Sequence, residues 1–317
     1  MRVVEGSPSV SASMSTQAAH AGRSVRYATA FAVLVGATQV LIVLGALVRA
    51  HEAGLACPDW PLCFGEWVPA MNLEVAFEWS HRVLAGGVSV AFATLWLLLL
   101  RSGGAPPDTR RWLGIAAALL VMQILLGALT VWRLLAAWTV TSHLVTGNAF
   151  ALALLFATLG LREQSRDHLV APAAVRVRFL VAAAALLLAL QVVLGGLVSS
   201  RFAGMACPEW PACNGGARFP SLAGNVGLHL LHRWNGTLLA AALVALVWIA
   251  RREPGVRRLA AAAAALACAQ VGVGVANVLL AIPVEVTGAH SALAAALVLT
   301  VGAATRAAWQ AAAGRAQ

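Results

Sequence analysis

The sequence contains no lysine, and charged residues make up only 11% of its 317 positions. All 22 basic residues are therefore arginine, against 12 acidic ones. With 61% hydrophobic residues and a mean hydropathy of +0.82, this scarcity of charge excludes a water-soluble globule, because the chain holds more apolar sequence than such a core buries. Residues 1–24 lack the apolar run that a cleaved signal needs. The first span is thus expected to act as an uncleaved targeting signal, with 1–24 a disordered tail. Cysteine is scarce as well, with five residues and no C-x-x-C pair, which argues against a thioredoxin-like redox centre.

What is present is a series of apolar stretches. A helix crossing the hydrocarbon layer needs about 20 apolar residues. Eight such stretches are drawn at 28–48, 78–100, 112–132, 138–161, 176–199, 229–250, 258–281 and 286–307. The fold class is all-α integral membrane protein, with the lipid bilayer as its solvent.

The net charge of +10 would suggest nucleic acid in a soluble protein, but here it follows topology. Arg101, Arg110 and Arg111 follow the second span. Arg162, Arg166, Arg176 and Arg178 follow the fourth, and Arg251, Arg252, Arg257 and Arg258 the sixth. Arg23, Arg26 and Arg306 lie toward the termini. By the positive-inside rule these segments and both termini are cytoplasmic, and the long loops after the first and fifth spans are outside. No nucleic-acid partner is required, and the cell membrane is the expected location.

The chain repeats itself. VLGALVRAHEAGLACPDWPLC, Val43 to Cys63, matches VLGGLVSSRFAGMACPEWPAC, Val193 to Cys213, at a constant offset of 150 residues. The likeness continues with His81-Arg82 against His232-Arg233, and with Gln123 and His143 against Gln270 and His290. Each half is a four-helix unit, spanning 25–165 and 176–310, with a linker at 166–175 marked by Pro172 and a short tail at 311–317. An even number of spans per unit gives the halves one orientation, so they are expected to form two tandem bundles related by a pseudo-twofold axis along the membrane normal.

His81, His143, His232 and His290 all fall within one or two turns of the outer end of an even-numbered span. A histidine within a span is costly and points to function. Four at repeat-related positions suit facing pairs, His81 with His143 and His232 with His290, the arrangement of bis-histidine haem ligation. Zinc or copper is disfavoured, since no carboxylate or thiol cluster shares this depth in both halves.

Arg82 and Arg233, next to two of these histidines, are candidate propionate contacts or plain interfacial anchors. Glu78 lies one turn before His81, where its repeat counterpart is His229. This carboxylate is either catalytic or a helix N-terminal acid, the role that also suits Glu285. Chemistry in one half and electron transfer in the other would follow from the first reading. Cys57–Cys63 and Cys207–Cys213 read as two local disulfides in the outer loops, with a ligand-handling role open for the first. Cys268 reads as a packing residue. His20 and His168 read as solvated, while His51 lies within reach of a haem edge.

The combination of E-W-S-H-R at Glu78 to Arg82, T-S-H at Thr141 to His143, L-H-R at Leu231 to Arg233, G-A-H at Gly288 to His290 and the two cysteine pairs resembles the haem A synthase family over nearly all of residues 25–310. The resemblance implies an oxidoreductase that converts the C8 methyl of haem O to a formyl group through hydroxylated intermediates. It implies haem b on His232 and His290, haem O as substrate on His81 and His143, and catalysis by Glu78. It also links Cys57 and Cys63 to haem handling, with haem O synthase as a candidate partner. The electron acceptor is not named by any residue, and a homo-oligomer is compatible with the sequence. The rival from another class is a quinol-linked, two-haem b-type electron-transfer cytochrome, which would use the same four histidines but has no use for a glutamate in one half alone.

Overall fold

A computed structural model describes residues 8–103, 105–163, 172–218 and 220–309, with side chains from 22 onward. Eight long α-helices dominate the described residues: α1 (Pro8–Ala50), α2 (Leu73–Arg101), α3 (Pro107–Trp132), α4 (Ala137–Glu163), α5 (Val175–Ser200), α6 (Gly224–Ile249), α7 (Pro254–Leu279) and α8 (Val284–Trp309). All eight contain a stretch long and apolar enough to cross a membrane. The all-helical membrane fold expected from the sequence is thus observed.

The helices outrun the apolar stretches because their polar first turns are stabilised locally. Asn72 caps α2 by accepting from Val75 N–H at 2.8 Å, so that helix starts at Leu73. Proline opens α3 and α7, where its missing N–H is not needed. At the other extreme α1 begins at Pro8, inside the segment expected to be a disordered tail, since residues 9–24 contain no further proline and only one glycine. The side chain of His20, and His168 with most of the 166–175 linker, lie outside the described residues.

The two halves pack through α1 against α8 and through α4 against α5 and α8. α4 is the central helix: 56% of its apolar stretch is buried within the protein, against 17% for α2. Three polar ties cross between halves. Arg306 on α8 holds Glu163 (2.8 and 2.9 Å) and Asp108 (2.8 Å), Thr141 meets Ser200 at 3.1 Å, and Arg49 donates to Ser199 O at 3.1 Å while lying 3.9 Å over the Phe202 ring.

The repeat is also visible in backbone detail. The α3–α4 turn places Leu134 and Leu135 in the left-handed region, and the α7–α8 turn does the same with Ala281 and Ile282. In each, an N–H reaches back five residues, from Leu135 to Thr130 O (2.8 Å) and from Ile282 to Asn277 O (2.7 Å), closing the helix end as in a Schellman motif. Cys268, expected to pack, instead faces outward from α7.

Candidate haem-binding site

The four even helices α2, α4, α6 and α8 all start at the end of the bundle that carries the two long loops, 51–72 and 201–223. That register sets His81, His143, His232 and His290 at one depth. Each imidazole leans on a glycine of the preceding helix. A Cβ on Gly45, Gly127, Gly195 or Gly274 would lie 3.0, 3.3, 3.1 or 3.2 Å from Cε1 of His81, His143, His232 or His290 respectively. A Cβ at any of the four would require the ring to give way by a few tenths of an ångström.

In the second half the rings of His232 and His290 stand 6.5 Å apart, centre to centre, at 59°. Two imidazoles bound to one metal through bonds of about 2 Å, with ring centres roughly 1 Å further out, are separated by about 6 Å. In addition His81, His143 and His290 each keep a buried Nδ1 with no protein partner. Buried polar atoms are ordinarily satisfied, so these unpaired ring nitrogens fit histidines that await a ligand. Among the described residues no group of three His, Cys, Asp or Glu is placed to hold a metal ion. Paired imidazoles, as in haem ligation, are the donor set present.

Glu78, Arg82 and the Cys57–Cys63 disulfide, three separate features of the sequence, form one cluster. Glu78 is buried (4% exposed), accepts the Cys57 N–H at 2.8 Å and pairs with Arg82 at 2.5 Å. Arg82 also donates to the carbonyls of Asp59, Leu62 and Cys57. Arg233 repeats this on Glu209 (3.0 Å), Ala212 (3.1 Å) and Cys207. Both disulfides are present. The guanidinium groups hold the loops down on the helix ends.

Each loop is further closed by an acid. Asp59 accepts from Phe64 and Gly65 N–H at 2.7 and 2.8 Å, and Glu209 from Gly215 and Gly216 at 2.8 and 3.0 Å. The Gly65 N–H, with that of Phe64 and the nearby Arg82 charge, holds the Asp59 carboxyl below the usual aspartate range.

The counterpart of Glu78 behaves differently. His229, equally buried, bonds Ala203 O through Nδ1 at 2.9 Å and makes no ion pair. His51, near the first site, stacks on Phe77 at 4.1 Å. Glu285 stands in the first turn of α8, as a helix-start acid.

A residue that sequence reasoning passed over is Gln191. Its Nε2 lies 3.2 Å from His232 Nδ1 and 3.1 Å from His232 O, while its Oε1 accepts from Asn235 at 2.7 Å. The signal was present: in the 150-residue register Gln191 falls opposite Leu41, one of the mismatches between halves.

Comparison with known proteins gives the family. Residues 28–77 and 73–301 match the COX15-CtaA family, described as cytochrome oxidase assembly protein. The chain is 29% identical over 306 residues to a protein of Shewanella oneidensis named "Heme A synthase", covering 83% of this chain and 91% of the relative. Relatives of the same name from Symbiobacterium thermophilum (35% over 254 residues; 75% and 81% covered) and Halalkalibacterium halodurans (32% over 231 residues; 69% and 75%) are also similar. With a membrane fold of eight spans, paired histidines at one depth and matches of this extent, the chain belongs to the COX15-CtaA family of cytochrome oxidase assembly proteins, the haem A synthase family.

Proposed function

We propose that the protein is a haem A synthase that oxidises the C8 methyl of haem O to a formyl group in its N-terminal half, with a resident haem b in its C-terminal half. The single observation that carries this reading is the unequal equipment of two otherwise matching sites: Glu78 with its ion pair in one, His229 in the other.

In this reading His232 and His290 hold haem b, which when bound supplies one-electron redox chemistry. His81 and His143 hold the substrate haem. The facing glycines let both rings of each pair lie close to the neighbouring helix, clearing the space between them. Glu78 accepts two hydrogen bonds from the protein, whereas a carboxylate offers about four lone-pair positions. The remaining positions are free to stabilise positive charge developing at the methyl carbon, or to take its proton. Arg82 and the Cys57 N–H aim the group, so the disulfide loop acts on the chemistry through Glu78.

The outer side of the membrane is assigned to the loop end, with the arginine-rich ends cytoplasmic. Phe64, Trp67 and Val68 of the first loop are exposed, where the second loop has Asn214, Ala217 and Arg218. The exposed apolar tip of the first loop, where the second loop is polar or small, suits docking of a delivering partner such as haem O synthase.

The test is to purify the full chain and identify its extracted pigments by chromatography and mass. Haem b together with haem O, a hydroxylated haem or haem A is the expected result. Haem b alone, at two per chain, overturns the proposal in favour of an electron-transfer cytochrome.

A further inference from the structure

The helix before three of the four histidines carries the same pair of residues, a glutamine one turn before the glycine, and in two of the three the amide reaches the ring. On α3, Gln123 stands one turn before Gly127, and its Nε2 lies 3.3 Å from His143 Nε2. On α5, Gln191 stands one turn before Gly195, with its Nε2 3.2 Å from His232 Nδ1. On α7, Gln270 stands one turn before Gly274, which touches His290, and Gln270 Oε1 and His290 Nδ1 are both buried without a partner. On α1 the glycine is kept as Gly45 but the glutamine is replaced by Leu41.

The facing helix makes room for the amide. A Cβ on Gly147 or Gly236, one turn beyond His143 or His232, would lie 3.0 or 2.9 Å from Nε2 of Gln123 or Gln191. One turn beyond His81 stands Ala85, and the position matching Asn235, which holds the Gln191 amide, is Leu84. One turn beyond His290 also stands an alanine, Ala294, and the amide oxygens of Gln123 and Gln270 have no partner, so the missing glutamine itself is what sets His81 apart.

A carboxamide beside an imidazole either donates to a bare ring nitrogen or, turned over, accepts from a ring N–H. Either bond fixes the ring's orientation and the nitrogen it presents, and such outer partners are typically worth about 10–100-fold in ligand affinity. The Leu41 side chain supplies neither, so His81 is left with the Leu41 backbone, the kind of contact that His143 has from Gln123 in addition to the amide.

We propose that His81 is the exchangeable haem ligand of the protein, and that Gln123, Gln191 and Gln270 are positioning residues that hold the other three imidazoles in place. This rests on the haem reading above. A haem that must arrive as substrate and leave as product is then released on the side of Leu41, while His143 and the His232–His290 pair stay oriented.

The experiment uses the full chain purified with its haems, mixed with excess apomyoglobin as scavenger, and follows haem transfer in the visible spectrum. The wild type is expected to release haem in two phases. L41Q/A85G, which installs the amide and the room for it, slows the fast phase about tenfold and leaves the slow one unchanged. Q191L accelerates the slow phase about tenfold at unchanged haem content and leaves the fast one alone. A single phase in the wild type, a fast phase insensitive to L41Q and L41Q/A85G in protein that retains its haems, or a slow phase indifferent to Q191L overturns the proposal. A purified protein that carries no haem overturns the haem reading itself, which is a separate failure.

Discussion

The two halves share a frame and differ in what they mount on it. Both dock imidazoles on glycines, both close an outer loop with a disulfide, an acid and an arginine, and both turn between their last two helices through the same left-handed residues. The first half adds a carboxylate tied into the loop network and has Leu41 and Leu84 at the positions of Gln191 and Asn235. The second puts a histidine on a backbone carbonyl in place of the carboxylate, and braces its first histidine with Gln191 and Asn235. In the proposed reading, a few polar exchanges between two repeat-related histidine sites make one suited to hold a haem and the other to react.

The largest contrast is expected at the exchanged pair itself. Glu78→Ala lowers haem A formation by about 100-fold or more, the range of a positioned acid–base or charge-stabilising group, with haem b content unchanged. His229→Ala loses one buried hydrogen bond, costing roughly 1–3 kcal/mol of stability, and leaves turnover near wild type. Pigment analysis of membranes carrying each variant checks both; equal loss of activity in the two would erase the proposed division of labour.

The disulfides give the next contrast. Each closes a short loop, and removing either costs about 2 kcal/mol by loop entropy. Only Cys57 also presents its N–H to a site residue, so Cys57→Ser/Cys63→Ser lowers activity beyond its effect on stability, while Cys207→Ser/Cys213→Ser lowers stability alone. Thermal melts paired with turnover separate the two. Arg82→Gln and Arg233→Gln sharpen the same point: both orphan loop carbonyls, but only the first also strips Glu78 of its ion pair and therefore costs activity as well.

The smallest effect concerns pH. Backbone N–H groups hold the Asp59 carboxyl below its ordinary value, so its contribution to loop stability is fully present above the ordinary aspartate pKa of about 3.9 and is lost as pH falls through the lower folded value. Between pH 5 and pH 8 the accessibility of the first loop to a soluble protease is expected to be flat, and Asp59→Asn to raise it at every pH.

Much of this is legible in the sequence. Span number follows from hydropathy, and the histidine depth follows from helix register, because both are set by spacing along one chain. The repeat marked Glu78 and His229 as the informative mismatch. What was not legible depends on contacts between distant segments. Arg82 and Arg233 bond carbonyls of loops about twenty residues earlier, and backbone acceptors leave no mark in composition. Gln191 differs from Leu41 in the sequence, but its meaning needs α5 to lie against His232. The glycines read as ordinary small residues of apolar helices until each is seen beneath a ring. The outward turn of Cys268 and the helical start at Pro8 are likewise matters of packing and local propensity that hydropathy does not report.

The central claim, that one histidine pair keeps its haem while the other works on it, is tested most directly by extracting and identifying the haems of two double variants of the full chain. The account predicts that His81→Ala/His143→Ala retains haem b and loses haem O and its oxidised products, whereas His232→Ala/His290→Ala loses haem b. Loss of the same haem, in the same amount, from both variants would contradict it.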